Sequence, residues 1–282
     1  MKIDFRRPIP YDTDMLSSLL ALVKANLIST LRDRILLAVL VTALVMILLV
    51  PSLSTFSMQQ VQELAITLAL SSVSLVLLIM TLLLGTTAIF RDIDRRYVAA
   101  TLTLPIDRST YLLAKFISIF IFLAVATMIM AAGAVVVINL SAARYPSELA
   151  ILWSNIFFAV VGDFFKFVLL SSVALLLSSV STSFFLPFFG TLAIYLSGSA
   201  SQEVFEFVSG EFGKDISPIA LKAIKGAYYL LPNFSAFDFK IHAIYALPIS
   251  LSSVFFSLGY CLIYCGILLG LSIWALNRRQ FA

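Results

Sequence analysis

Residues 90–115 read FRDIDRRYVAATLTLPIDRSTYLLAK, and they decide how the rest of the chain is read. The stretch lies between two long apolar runs, Ser74–Ile89 and Phe116–Leu140. It carries eight charged side chains: Arg91, Asp92, Asp94, Arg95, Arg96, Asp107, Arg108 and Lys115. Ile93, Tyr97, Ala100/Thr101 and Leu104 recur at helical spacing, with the charges at the front and on the other face. Pro105 has no amide hydrogen and disfavours helix at Leu104, so the spacing predicts a short helix that stops there. Asp107 or Ser109 then caps a second helix, with Tyr111 in its first turn. The expected result is a short amphipathic helix at a membrane surface, turned sharply into a transmembrane helix. On composition alone the same residues also read as an ordinary loop held on one side by its positive charge.

The bulk composition fixes the class. Sixty-one per cent of the residues are hydrophobic and twelve per cent charged, with a mean hydropathy of +1.05. A soluble chain carries about twice that charge fraction, so this one belongs in a bilayer. The net charge of +4 and pI near 9.1 do not point to nucleic acid. The basic residues are not gathered with stacking aromatics on a polar face. No secretory signal is expected, because Asp4, Asp12 and Asp14 spoil a basic leader. Cys261 and Cys265, four apart in an apolar run, suit neither an unstrained disulfide nor a metal site without further ligands.

Taken in order, the chain reads as one all-α transmembrane domain over 1–282, with six spans. Residues 1–34 form a tail and an interfacial helix whose apolar stripe is Leu16, Leu20, Val23, Leu27 and Leu31. Residues 35–198 hold spans 1–5: Ile35–Val50, closed by Pro51; Leu64–Ile89; Phe116–Leu140; Leu149–Val180; and Phe184–Ser197. Residues 199–248 form an extracytoplasmic polar segment, and 249–282 hold the sixth span and a tail. Within 199–248, Val204, Phe205, Val208 and Phe212 make one apolar stripe. After the cap Ser217-Pro218, Ile219, Ala223, Ala227 and Leu230 make another. These predict two or three short amphipathic helices. Most of the nineteen Lys and Arg then fall on the side of both termini; only Arg144, Lys214, Lys222, Lys225 and Lys240 fall outside.

Asp163 and Lys166 stand near the middle of the fourth span, where ionisable groups are costly and are usually paired or turned inward. Their i, i+3 spacing lets them pair on the helix surface, as a structural ion pair or as a polar lining of a transport path. Gly266 and Gly270 form a small-xxx-small pair in the last span, a pattern of close helix packing. Enzymatic chemistry is not visible. There is no Gly-x-x-x-x-Gly-Lys-[Ser/Thr], no His-Glu-x-x-His, no Gly-x-Ser-x-Gly, and a single histidine, His242.

The order of an acidic pair, a short helix, then Pro-[apolar]-x-Arg-x-x-[aromatic]-x-x-x-Lys is Asp92, Asp94, Leu102, Pro105, Ile106, Arg108, Tyr111 and Lys115 here. It resembles the first cytoplasmic loop of ABC-2 type transporter permeases, although that family usually has glutamates at the two acidic positions. The resemblance implies that the loop carries a coupling helix that docks into a groove on a separate ATPase subunit. Asp92, Asp94, Arg95, Arg96, Tyr97, Leu104, Pro105 and Arg108 are the coupling residues it implies. ATP and Mg would then sit on the partner ATPase, with no cofactor on this chain. It further implies a second permease copy, re-entrant helices before the last span, and a cytoplasmic membrane location with both termini cytoplasmic. Membrane lipids are expected partners, and nucleic acid is not. Two other functions stay open: an ion-coupled carrier using Asp163 and Lys166, or a permease-like subunit passing force to an extracytoplasmic partner through 199–247.

Overall fold

The computed structural model describes residues 15–54, 60–94, 107–144, 150–210 and 217–278. Among these the regular elements are all helices. They are α1 (Met15–Leu31), α2 (Arg34–Ser54), α3 (Val61–Asp94), α4 (Arg108–Arg144), α5 (Trp153–Val180), α6 (Phe185–Ser209), α7 (Pro218–Leu230), a 3-10 turn (Ser235–Phe237), α8 (Lys240–Ile244) and α9 (Leu251–Arg278).

Five of these, α2, α3, α4, α5 and α9, are long and apolar enough to cross a membrane. The helix at the expected fifth span, α6, stands apart in two ways, and the second corrects the boundary expected from the sequence. First, α6 does not reach that apolar threshold over its described length. Second, it does not stop at Ser197; it runs on to Ser209, across the boundary expected at residue 198. Polarity ends a lipid-facing stripe but does not end a helix, and Ser199–Ser209 contains no proline. The stripe of Val204, Phe205 and Val208 is therefore the far end of α6 rather than a separate helix. Phe212 lies outside the described residues. Pro51 likewise does not close α2, which continues to Ser54. A proline in the last turn removes one ladder bond only, and the Ser54 hydroxyl donates to the Pro51 carbonyl at 3.1 Å.

α5 is the central helix, with two thirds of its most apolar stretch buried. It packs on α3, α4, α6 and α9. Lipid is as apolar as leucine, so shape and small residues must hold such helices together. The α3–α5 contact shows this. A Cβ on Gly85 would run into Ala174, and the Ser178 hydroxyl donates to the Thr86 carbonyl at 3.3 Å. Met80, Leu77, Leu123, Met130 and Phe167 fill the core beside it. α2 and α9 lie at the periphery and expose leucine-rich faces, such as Val41, Val45 and Leu48 on α2.

α1 packs along α4. Val23 is buried and Leu27 rests on the core, whereas Leu16, Leu20 and Leu31 of the expected stripe point outward. At the other end of the bundle, residues 232–244 fold back onto α5, α6 and α9. Their three phenylalanines Phe234, Phe237 and Phe239 are buried. The Ser217 hydroxyl caps α7 by accepting from the Ala220 amide at 3.3 Å, with Pro218 at the first helical position.

Candidate functional site

Two polar clusters lie at different depths of the bundle. The first stands where α3 stops and α4 starts, flanking the quoted stretch. The Asp92 carboxylate accepts from the Tyr111 hydroxyl at 2.6 Å and pairs with the Lys115 ammonium at 2.7 Å. Lys115 also donates to the Asn26 side chain on α1 at 2.9 Å. Tyr111 and Lys115, four residues apart on α4, share one face and both reach the same carboxylate. Arg108 turns the other way. Its guanidinium donates to the Leu276 and Asn277 carbonyls at 2.8 and 3.1 Å, capping the end of α9. A cation at a helix C-terminus meets carbonyls left without intrahelical partners. The junction therefore ties α1, α3, α4 and α9 into one unit at the base of residues 95–106.

Of the expected coupling residues, Asp92 and Arg108 are thus turned into the bundle. Asp94 is the last residue of α3, and its side chain lies outside the described residues. Arg95, Arg96, Tyr97, Leu104 and Pro105 also lie outside them. Asn26 belongs to the cluster although nothing in the sequence sets it apart from other asparagines near a membrane boundary.

The second cluster is inside the bundle. Asp163 is 1 % exposed, and one carboxylate oxygen meets the Lys166 ammonium at 2.5 Å on the same helix. The other accepts from the Ser74 hydroxyl of α3 and lies 3.5 Å from the Lys240 ammonium of α8. The Lys166 ammonium also sits 5.2 Å over the Phe167 ring, which stacks on Tyr195 of α6. Tyr195 in turn meets Phe234. Both charges are therefore surrounded by protein, and α3, α5 and the folded-back segment converge on one carboxylate.

That segment is fastened at several other points. The Asn155 amide at the start of α5 donates to the His242 and Leu247 carbonyls at 2.9 and 2.8 Å. The Ser257 hydroxyl donates to the Ala236 carbonyl at 2.6 Å. Two glycines make the close approach possible. A Cβ on Gly162 would collide with the Phe237 carbonyl, and one on Gly198 with the Pro232 carbonyl. The free thiols of Cys261 and Cys265 are buried 3.9 Å apart against α5. Ser74, Asn155 and Lys240 were not singled out in the sequence. Lys240 alone carried a signal, as a charge in the polar segment, but its partner is far away along the chain.

A helical bundle with several membrane-length apolar helices around a buried ion pair is that of a multi-pass membrane protein. The chain belongs to the ABC-2 family transporter proteins, whose family profile matches residues 20–281. Set against curated proteins, it matches none.

Proposed function

We propose that this chain is the permease subunit of an ATP-binding cassette exporter. In this reading a separate ATPase subunit binds residues 90–115 and hydrolyses ATP with Mg, while this chain contributes no cofactor. Two permease copies, identical or similar, form the path, and α6 crosses the membrane as a sixth span with both termini in the cytoplasm. The observation that carries the reading is the junction of Asp92, Tyr111, Lys115 and Arg108. A push on the loop between α3 and α4 would reach α1 and α9 together, as a coupling element requires. The positions of Lys and Arg support the orientation. The exposed faces of α2 and α9, with Gly266 and Gly270 open to the outside, leave room for a second copy.

The geometry favours this over an ion-coupled carrier. A coupling carboxylate must exchange partners with its ion, whereas Asp163 is held by two ammoniums and a hydroxyl. The force-transmitting reading keeps one support, the fastening of residues 232–244 to the bundle. The test is reversal of Arg95 and Arg96 to Glu in the chain expressed with its ATPase. Correctly inserted, this variant is expected to lose ATPase association in a salt-sensitive manner, because the contact is partly exposed. Copurification at unchanged yield, with unchanged coupled hydrolysis, would return residues 90–115 to an ordinary positively charged loop.

A further inference from the structure

The groove between α7 and α9 plays no part in that mechanism, and its walls describe a ligand. α7 leans on α6, where Phe205 and Tyr228 stack at 4.2 Å and Tyr228 donates to Gln202 at 3.0 Å. Toward α9 it is bridged by the Tyr264 hydroxyl, which donates to the Leu230 carbonyl at 2.7 Å. Between the two helices opens a cavity of about 620 Å³, walled by Tyr229, Phe255, Phe256, Tyr260, Ile263 and Tyr264. Tyr264 is midway along α9, about 20 Å from Leu251 at 1.5 Å per residue. Phe255 and Phe256 stand about 12 Å nearer that end. The groove therefore runs along half a membrane thickness.

Its floor is apolar although it is rich in tyrosine. The Tyr264 hydroxyl donates to Leu230 and the Tyr260 hydroxyl accepts the Asn233 amide at 3.0 Å, so both hydroxyls already have partners. The rim differs. Lys222, Lys225 and Tyr229 fall at i, i+3 and i+7 and share a face of α7. Both lysines are exposed and lie one and two turns from Tyr229, toward the Pro218 end. Neither has an ion pair among the described residues, and α7 contains no carboxylate. An apolar slot walled by Tyr229, with two lysines farther along the same face of α7, matches an acyl chain below a phosphate.

We propose that this groove is a binding site for one anionic phospholipid, with its phosphate at Lys222 and Lys225 and an acyl chain along Phe255, Phe256 and Ile263. The site requires that α9 crosses the membrane but not that the chain couples to an ATPase, so the two readings fail separately. Native mass spectrometry of the purified chain, loaded with phosphatidylglycerol or phosphatidylcholine, tests it. The expected result is a roughly tenfold preference for phosphatidylglycerol, from two lysines near a phosphate. Lys222→Gln with Lys225→Gln should abolish the preference while phosphatidylcholine is still retained. Gly259→Leu is a second variant. No atom lies within 4 Å of a Cβ there, so it should fold, fill the groove and lower retention of both lipids. Equal retention of the two lipids by the unaltered chain, or retention unchanged by Gly259→Leu, overturns the proposal. Displacement of the lipid by glycerol phosphate would make it a headgroup site only and also overturns it. So does a Gly259→Leu chain that loses a dimer while keeping its lipid, which would assign the groove to a second copy.

Discussion

Asp163 shows what a single carboxylate does when it is buried inside a bundle of membrane-length helices. It holds Lys166, Ser74 and Lys240, three residues from three helices. Removing one member of a buried pair leaves the other uncompensated, at about 3–5 kcal/mol. Asp163→Asn is therefore expected to lower the melting temperature of the detergent-solubilised chain markedly, and adding Lys166→Met should restore part of the loss. Lys240→Met should cost less, because Lys240 is farther from the carboxylate and partly exposed. An Asp163→Asn chain that melts like the unaltered one would mark the pair as incidental. The sequence made half of this site legible. Two charges three apart in an apolar run must find each other or turn inward. The other half was hidden, since Ser74 is one serine among many and Lys240 looks like an ordinary residue of a polar loop. Only the fold brings them to the carboxylate.

At the scale of elements, helix types were readable and helix ends were not. The apolar runs fixed α2 through α5 and α9. The separate amphipathic helix expected after the span ends at Ser197 is instead the continuation of α6, because polar residues with good backbone geometry extend a helix where packing supplies partners. Gly162 and Gly198 are where that packing is closest. Gly162→Ala is expected to push the Phe237 carbonyl away from α5, at about 1–3 kcal/mol of overpacking. In that variant a cysteine at Ser235, now 2.8 Å from the Ser199 carbonyl through its hydroxyl, should react faster with a thiol reagent. Unchanged reactivity would mean the segment absorbs the methyl without moving. Pro105 bears on a second pair of elements, the end of α3 and the start of α4. On the proposed function, Pro105→Ala should leave ATPase assembly largely intact while lowering transport-stimulated ATP hydrolysis, because the junction at Asp92, Tyr111 and Lys115 stays in place and only the helix stop expected from the sequence at Leu104 is lost. A variant that fails to assemble would place Pro105 in the contact itself.

For the whole molecule, composition alone placed the chain in a membrane, and the orientation proposed above puts α7 on the side opposite the termini. Lys222→Cys, in a chain whose Cys261 and Cys265 are replaced by Ala, should react with a membrane-impermeant thiol reagent in intact cells. Labelling only after lysis would invert the topology. The architecture also bears on how the protein is made. Among the described residues α6 is the long helix that falls short of membrane hydropathy, and residues translated later add hydrogen bonds to its far half. The Gly198 carbonyl accepts from the Phe234 amide, the Ser199 carbonyl from the Ser235 hydroxyl, and Gln202 from Asn233 and Tyr228. While the ribosome has reached only Ser209, none of these donors exists, and a translocon would weigh α6 by its own hydropathy, with the Gln202 side-chain oxygen still without Asn233 and Tyr228. On the proposed reading of α6 as a sixth span, its insertion is expected to wait for the chain behind it. In a glycosylation-mapping assay, a nascent chain cut after Ser209 should leave α6 outside the bilayer, and one extended through α9 should carry it in.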